Sequence, residues 1–343
     1  MAVSILNSIA TYNDMDISQP GRDSRIDSIK YFSILLVIIG HVFSRDSFST
    51  IPACRIIWRW IYIFHMPLFV FLSGYFSRKK DLNNYLRSIW RILEPLIVFQ
   101  VLIRGMSFIL TGSLSIREIL TPWWVLWYLL SLFFWRSILQ VLPDIVLQNA
   151  KLLIVGAFIV SLLAGYLPFT RFLSLQRTFS FMPFFFLGYC LRGKSIVLSS
   201  KYKWLSALFL VLTLIIPIFF DNYLGDLDQA DPYGNPLRVC SRMLVFGLSI
   251  PMSVAFINIC PKSSWTAKQG KLTMQYYIYH ALIIDILLIR IINRFALPMT
   301  FWAAVAYSIL IIAILGLCSY FPYFSNLTNP SSFFKRNQHN TKS

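Results

Sequence analysis

Only four histidines occur in this chain, and two of them stand where an imidazole could do chemistry. Imidazole is the side chain that takes or gives a proton near neutral pH. His41 closes a run from Tyr31 to Gly40 that carries almost no polar group. A titratable group at the end of such a run is costly and marks function by default. Lys30 stands eleven residues earlier, close to three helical turns, so both side chains share one face, roughly 16 Å apart along the axis. That face carries a cation at one membrane surface, beside Arg25 and Asp27, and an imidazole toward the other. Gly40 removes a side chain next to the imidazole, so another helix or a ligand can come close. Two readings are open at His41: a proton-accepting group inside the bilayer, or a helix-end histidine at the headgroup level. His65 precedes Met66-Pro67 in FHMPLFVFLSG, 64–74. Pro67 is expected to interrupt the helical ladder and expose backbone groups that need partners. His65 is expected at the depth of His41, as a site residue or as part of a kinked packing motif. His280, in YYIYHALII at 276–284, falls in the inner half of its span by the same counting, and is read as either packing or site.

Two further groups could hold ligands. The basic run Arg78-Lys79-Lys80 is followed by Arg87 and Arg91, which at i, i+4 share a helix face. Paired guanidiniums suit phosphate, which they grip with two parallel hydrogen bonds. A membrane protein's bias toward cytoplasmic Lys and Arg would also place them there. Trp123, Trp124, Trp127 and Tyr128 open a span; an interfacial aromatic belt explains them, and aromatic faces also stack on sugar rings. Glu94 lies one turn from Arg91, before Pro95, and an ion pair between them is expected; Asp285 and Arg290 are expected to pair likewise. Phosphate-binding glycine loops, nucleophile elbows and H-E-x-x-H are missing from the sequence. The five cysteines lie far apart with no C-x-x-C pair, so neither a zinc site nor a disulfide framework is expected.

The elements that must position these residues are membrane helices. Hydrophobic residues make up 57% of the 343 and charged residues 13%, against roughly a quarter charged in globular chains. With a mean hydropathy of +0.64, the surplus apolar surface has nowhere to go except a bilayer. The fold class is therefore an all-α integral membrane protein, a polytopic bundle. Apolar runs place about ten spans, near 28–45, 57–77, 89–111, 122–142, 151–169, 178–191, 203–220, 239–260, 273–295 and 299–321. They divide the chain into a polar tail at 1–21, a transmembrane domain at 22–321 and a basic tail at 322–343. No cleavable signal peptide is expected, since no apolar stretch follows a basic start in the first twenty residues. With both termini cytoplasmic, 19 of the 31 basic residues fall on the inner side, every lysine among them, and ten on the outer. Arg104 and Arg136 sit within spans. The loop from Asp221 to Asp231 falls outside and carries no Lys or Arg. This bias favours an N-in, C-in protein of the plasma or inner membrane. It also accounts for the net charge of +17 without a nucleic-acid partner. One internal echo stands out, FHMPLFVFLSGY at 64–75 against FMPFFFLGY at 181–189; it does not extend, so no transporter-style repeat is read from it.

Lys30-x10-His41, FHMPLFVFLSGY, the arginine pair ahead of Pro95, Trp127-Tyr128-Leu129-Leu130 and YIYHALII occur in that order. In this the chain resembles the membrane acyltransferase-3 family over roughly 22–321, and within it the fucose 4-O-acetylase-like branch of sugar and polysaccharide O-acetyltransferases. The resemblance implies a ten-helix bundle that moves an acyl group, usually acetyl from acetyl-CoA, onto a saccharide hydroxyl. His41 then corresponds to the family's essential histidine and Lys30 to its basic companion, with His65 in support. Arg91 matches the second arginine of an R-x-x-R element linked to the donor. Arg87 stands four residues before it rather than three, with Ser88 in the expected place. Trp127 and Tyr128 would receive the sugar, and Asp27 and His280 are further candidates. The expected partners are acetyl-CoA as donor substrate, a saccharide or lipid-linked glycan acceptor, and the bilayer; no bound cofactor or metal is expected. The alternative is a saccharide or lipid-carrier transporter without acyl-transfer chemistry. A basic inner face and an aromatic mouth suit it equally, and only Lys30, His41 and His65 argue against it.

Overall fold

The structure is a computed structural model, and it describes residues 24–285, 293–295, 298–321, 324 and 328. The two expected tails, but for Phe324 and Thr328, and the partner side of the Asp285–Arg290 pair lie outside the described residues. Among the described residues, eleven α-helices of seven residues or more carry the architecture: α1 (Ser24–Phe43), α2 (Pro52–Tyr75), α3 (Leu82–Thr111), α4 (Trp127–Val141), α5 (Ala150–Ala164), α6 (Leu175–Cys190), α7 (Lys203–Leu212), α8 (Arg238–Ile259), α9 (Ser264–Gly270), α10 (Thr273–Ile284) and α11 (Phe301–Cys318). Among the described residues, seven helical stretches are long and apolar enough to cross a membrane, where ten spans were expected. The three that fall short are α5 with 15 residues, α6 with 16 and the described part of α10 with 12. Burial explains α6: most of its residues lie inside the protein, so it need not match the thickness of the hydrocarbon.

α1 is the central element, with 67% of its span window buried. By contrast α3 and α11 turn large apolar side chains outward, such as Val101, Met106, Ile109, Trp302 and Leu317. Exposed apolar surface of that kind is what lipid chains cover. Where helices meet, small residues bring backbones together. A Cβ on Gly74 would lie 1.8 Å from the Phe185 carbonyl oxygen, and one on Gly188 would lie 2.0 Å from that of Phe71. Each glycine thus accommodates the carbonyl three residues before the other. The echo in the sequence is therefore one reciprocal contact, in which its two copies, α2 and α6, face each other.

Pro67 does not break α2, which runs unbroken from Pro52 to Tyr75. Its missing N–H frees the Ile63 carbonyl, and the Ser249 hydroxyl from α8 donates to that oxygen at 2.6 Å. On the other side of α1, Gly270 of α9 sits against the Asp27 carbonyl, and Ser28 and Thr266 share a 2.8 Å hydrogen bond. At one end of the bundle the arginines assigned to the outer face converge on the acidic loop. Arg55 and Arg59 pair with Asp221, the former at 2.5 Å, and Arg171 with Asp231 at 3.6 Å. Lys79–Asp144, of the inner set, pair at 2.8 Å.

Candidate active site

The end of α1 carrying His41 opens into a cavity of about 600 Å³. Its floor includes His41 and His65, its walls Tyr62, Trp124 and Trp127, and its roof Asp228 from the acidic loop. Gly40 does what its lack of a side chain allows: a Cβ there would lie 3.0 Å from the Tyr62 ring. The Tyr62 hydroxyl meets Ser44 Oγ at 3.2 Å. The roof is pinned, since Arg177 Nε donates to the Asp228 carbonyl at 3.0 Å and Asp226 caps the amides of Asp228 and Ala230.

The central contact is a histidine pair. His41 Nδ1 lies 2.9 Å from His280 Nε2, and the two rings are within 3° of parallel. His280 Nδ1 lies 2.9 Å from the Tyr276 carbonyl oxygen, one turn back on α10. A carbonyl only accepts, so His280 Nδ1 carries the hydrogen and the neutral ring leaves a lone pair on Nε2. His41 Nδ1 must then donate, which leaves the lone pair of neutral His41 on Nε2. Hydrogen bonding thus assigns both tautomers. His65 follows the same rule: Nδ1 donates to the Ile61 carbonyl at 3.0 Å, leaving Nε2 as an acceptor. Its ring lies 4.6 Å, centroid to centroid, from that of Tyr62, which itself packs on His41.

Trp124 is the conformational outlier of the site. Its φ is +28°, a left-handed backbone on a bulky residue. Conformations of this kind persist only where the surroundings over-determine them. Here Gln100 holds the preceding segment, donating to Thr121 O at 2.9 Å and accepting from Trp123 N at 2.8 Å. Arg104 donates to the same Thr121 carbonyl at 3.0 Å, and the Tyr277 hydroxyl donates to the Val125 carbonyl beyond. So clamped, the indole lies 5.0 Å from the His41 ring and 3.9 Å from the Arg45 guanidinium.

Of the residues singled out from sequence, His41, His65 and Trp127 line one cavity. His280 joins them through His41, which corrects its expected place in the inner half of the membrane. Counting took residue 273 as the membrane edge, but α9 already packs Gly270 against Asp27 inside α1, so α10 begins deeper. Lys30 is not brought to His41. It stands three turns away, paired with Asp27 at 3.3 Å and 4.1 Å above the Phe76 ring. Tyr128 does not reach the cavity; its hydroxyl meets Ser73 in the core. Arg87 and Arg91 lie exposed on α3, while Glu94, one turn from Arg91, is buried. Near them Arg136, from α4, donates to Ser88 Oγ at 3.1 Å. Desolvation, with Arg136, Arg78 and Arg91 adding charge, holds the Lys80 ammonium below its usual range. Sequence reasoning missed Arg45, Arg177 and the role of Trp124. Arg45 had a signal, one helical turn beyond His41. Among the described residues no group of three His, Cys, Asp or Glu side chains forms a metal site.

The chain belongs to the acyltransferase-3 family, whose profile, described as an acyltransferase domain, matches residues 23–320. Among curated proteins it is similar to nodulation protein NolL of Sinorhizobium fredii (strain NBRC 101917 / NGR234). The two are 27% identical over 188 residues, which cover 49% of this chain and 48% of NolL. The chain thus spans about half the length of the curated relative it matches. No solved structure matches it.

Proposed function

We propose that this chain is a membrane O-acetyltransferase that moves an acetyl group from acetyl-CoA to a sugar hydroxyl, with His41 Nε2 as general base. The observation that carries this reading is the hydrogen-bond relay from the Tyr276 carbonyl through His280 to His41. It fixes the tautomer in which His41 presents a lone pair, on a ring that lines the cavity. In the reaction the acceptor hydroxyl gives its proton to His41 Nε2 as its oxygen attacks the thioester carbonyl carbon. The C–S bond then breaks, and the leaving thiolate takes the proton back from the imidazolium. The Nδ1 hydrogen bond to His280 persists throughout and stabilises the imidazolium.

The anionic end of the donor is assigned to the opposite end of the bundle. Arg91 and, beside it, Arg87, Arg78, Lys80 and Arg136 crowd positive charge there, a crowding that phosphates relieve. Lys30 and Asp27, at the same end of α1, border the route of the pantetheine arm toward His41. Trp127 and Trp124 offer faces to the sugar. The cavity end is taken as the outer side, with both termini in the cytoplasm, from the lysine bias. Membership of an acyltransferase family favours this reading over a transporter. The direct test is transfer from labelled acetyl-CoA to glycan in isolated membranes. Replacing His41 with Gln keeps a hydrogen-bonding group without the proton-accepting nitrogen, and should cut transfer by about a hundredfold or more. Unimpaired transfer would overturn the assignment.

A further inference from the structure

Arg45 is the feature that general-base chemistry leaves unused. Its guanidinium carbon lies over the Trp124 ring, 3.9 Å from the centroid, in the wall of the His41 cavity. Its Nε and Nη2 are shut off from solvent and have no hydrogen-bond partner among the described residues. Each of the other arginines of the cavity holds a protein group: Arg104 the Thr121 carbonyl, through Nη2 with its Nε left over, Arg171 Asp231, and Arg177 the Asp228 carbonyl. The carboxylates whose charge reaches Arg45, Asp285 and Asp46, do not come within ion-pair distance of it. With a small turn of the side chain toward the cavity, these unpartnered donors, packed on an indole, become a receptor for a planar or tetrahedral oxyanion. The same indole lies 5.0 Å, centroid to centroid, from the His41 ring, and all three residues line one cavity. A group bound at Arg45 and a hydroxyl at His41 would therefore belong to one small molecule.

We infer that the acceptor is an acidic saccharide, and that Arg45 binds its carboxylate or phosphate while a hydroxyl of the same sugar meets His41. This rests on the reading of His41 as the base and adds the chemical class of the acceptor. Four arginines against two aspartates in the cavity wall favour an anion over a neutral sugar. The clamped backbone of Trp124 would then serve to hold the guanidinium plane at a fixed distance from the imidazole.

Binding tests this without any acyl transfer. Three probes share one ring: methyl glucuronide carries a carboxylate, glucose 1-phosphate a phosphate, and methyl glucoside neither. Their affinities are measured by quenching of tryptophan fluorescence on the purified full chain in detergent. At least one acidic probe should bind about tenfold or more tighter than the glucoside, and which one identifies the oxyanion. In Arg45→Gln that gap should close, while Arg45→Lys, which keeps the charge and loses the fork, should fall between. Acetyl-CoA affinity should be unchanged in both. Equal binding of the three probes, binding of none, a gap that survives Arg45→Gln, or a loss of donor affinity instead would overturn the assignment. His41→Gln separates this from the acyl-transfer reading: it should abolish transfer and leave the acidic preference in place. Transfer that survives His41→Gln would count against the base and not against the oxyanion site.

Discussion

At the scale of single residues, the relay through His280 gives His41 a defined lone pair, the one that the proposed mechanism uses as base. His280→Ala removes the acceptor that holds His41 Nδ1, so the ring can turn and its tautomers mix. The turnover rate should fall by about tenfold or more, less than in His41→Ala, because the base survives and only its orientation is lost. Michaelis constants for donor and acceptor should barely move, and a loss confined to them would show that His280 lines a binding site instead. Trp124 makes a second case. Trp124→Gly relieves a left-handed φ, worth about 1 kcal/mol or more, and deletes the indole under Arg45. Thermal stability should hold or rise while acetylation falls; a fall in both would mean that the indole acts as core. His41 and His65 were legible in the sequence because an imidazole stands out against an apolar run. The pairing of His41 with His280 was not, since 239 residues separate them and depth counting depends on where each span begins. Arg45 was passed over because a basic residue at a span end looks like ordinary interfacial charge.

At the scale of helices, the contact between α2, which carries His65, and α6 is a close backbone approach. Gly74→Ala and Gly188→Ala force a methyl into a carbonyl oxygen. Each should cost roughly 1–3 kcal/mol, the usual range for overpacking, read as a lower unfolding temperature in detergent. Gly105→Ala in α3 is the control, because nothing lies within 4 Å of its added Cβ. If all three variants unfold alike, the reciprocal glycine contact is not a stabilising one. The helical class was legible from composition, and most helices from the length of their apolar runs. The span count was not, because hydropathy does not separate a lipid-facing helix from one buried among others, such as α6. Pro67 shows the same limit from the other side. Its kink was a sound expectation for an isolated helix, and Ser249, contributed by a helix nearly two hundred residues away, removes the need for it.

At the scale of the whole molecule, the proposed mechanism puts an anionic donor at one end and a sugar in the cavity at the other. It requires the acidic loop to face out. In a cysteine-free background, a probe at Tyr223→Cys should be labelled from outside intact cells, and one at Lys201→Cys should be spared. The reverse pattern would put both substrates on the wrong sides. Arg91→Ala should raise the apparent acetyl-CoA requirement more than that for the acceptor, with Arg91→Lys an incomplete rescue because the fork is lost; an unchanged donor dependence would leave α3's arginines a role in insertion only. The charge asymmetry between the two ends was legible from the lysines alone, whereas the cavity, built from seven separate stretches of chain, was not. The measurement that bears most directly on the central claim is the acetyl content of the surface glycan in cells carrying wild type, His41→Ala or His41→Gln at matched membrane levels. The account predicts acetylation in wild type and its loss, by about a hundredfold or more, in both variants. Full acetylation in either variant would contradict it.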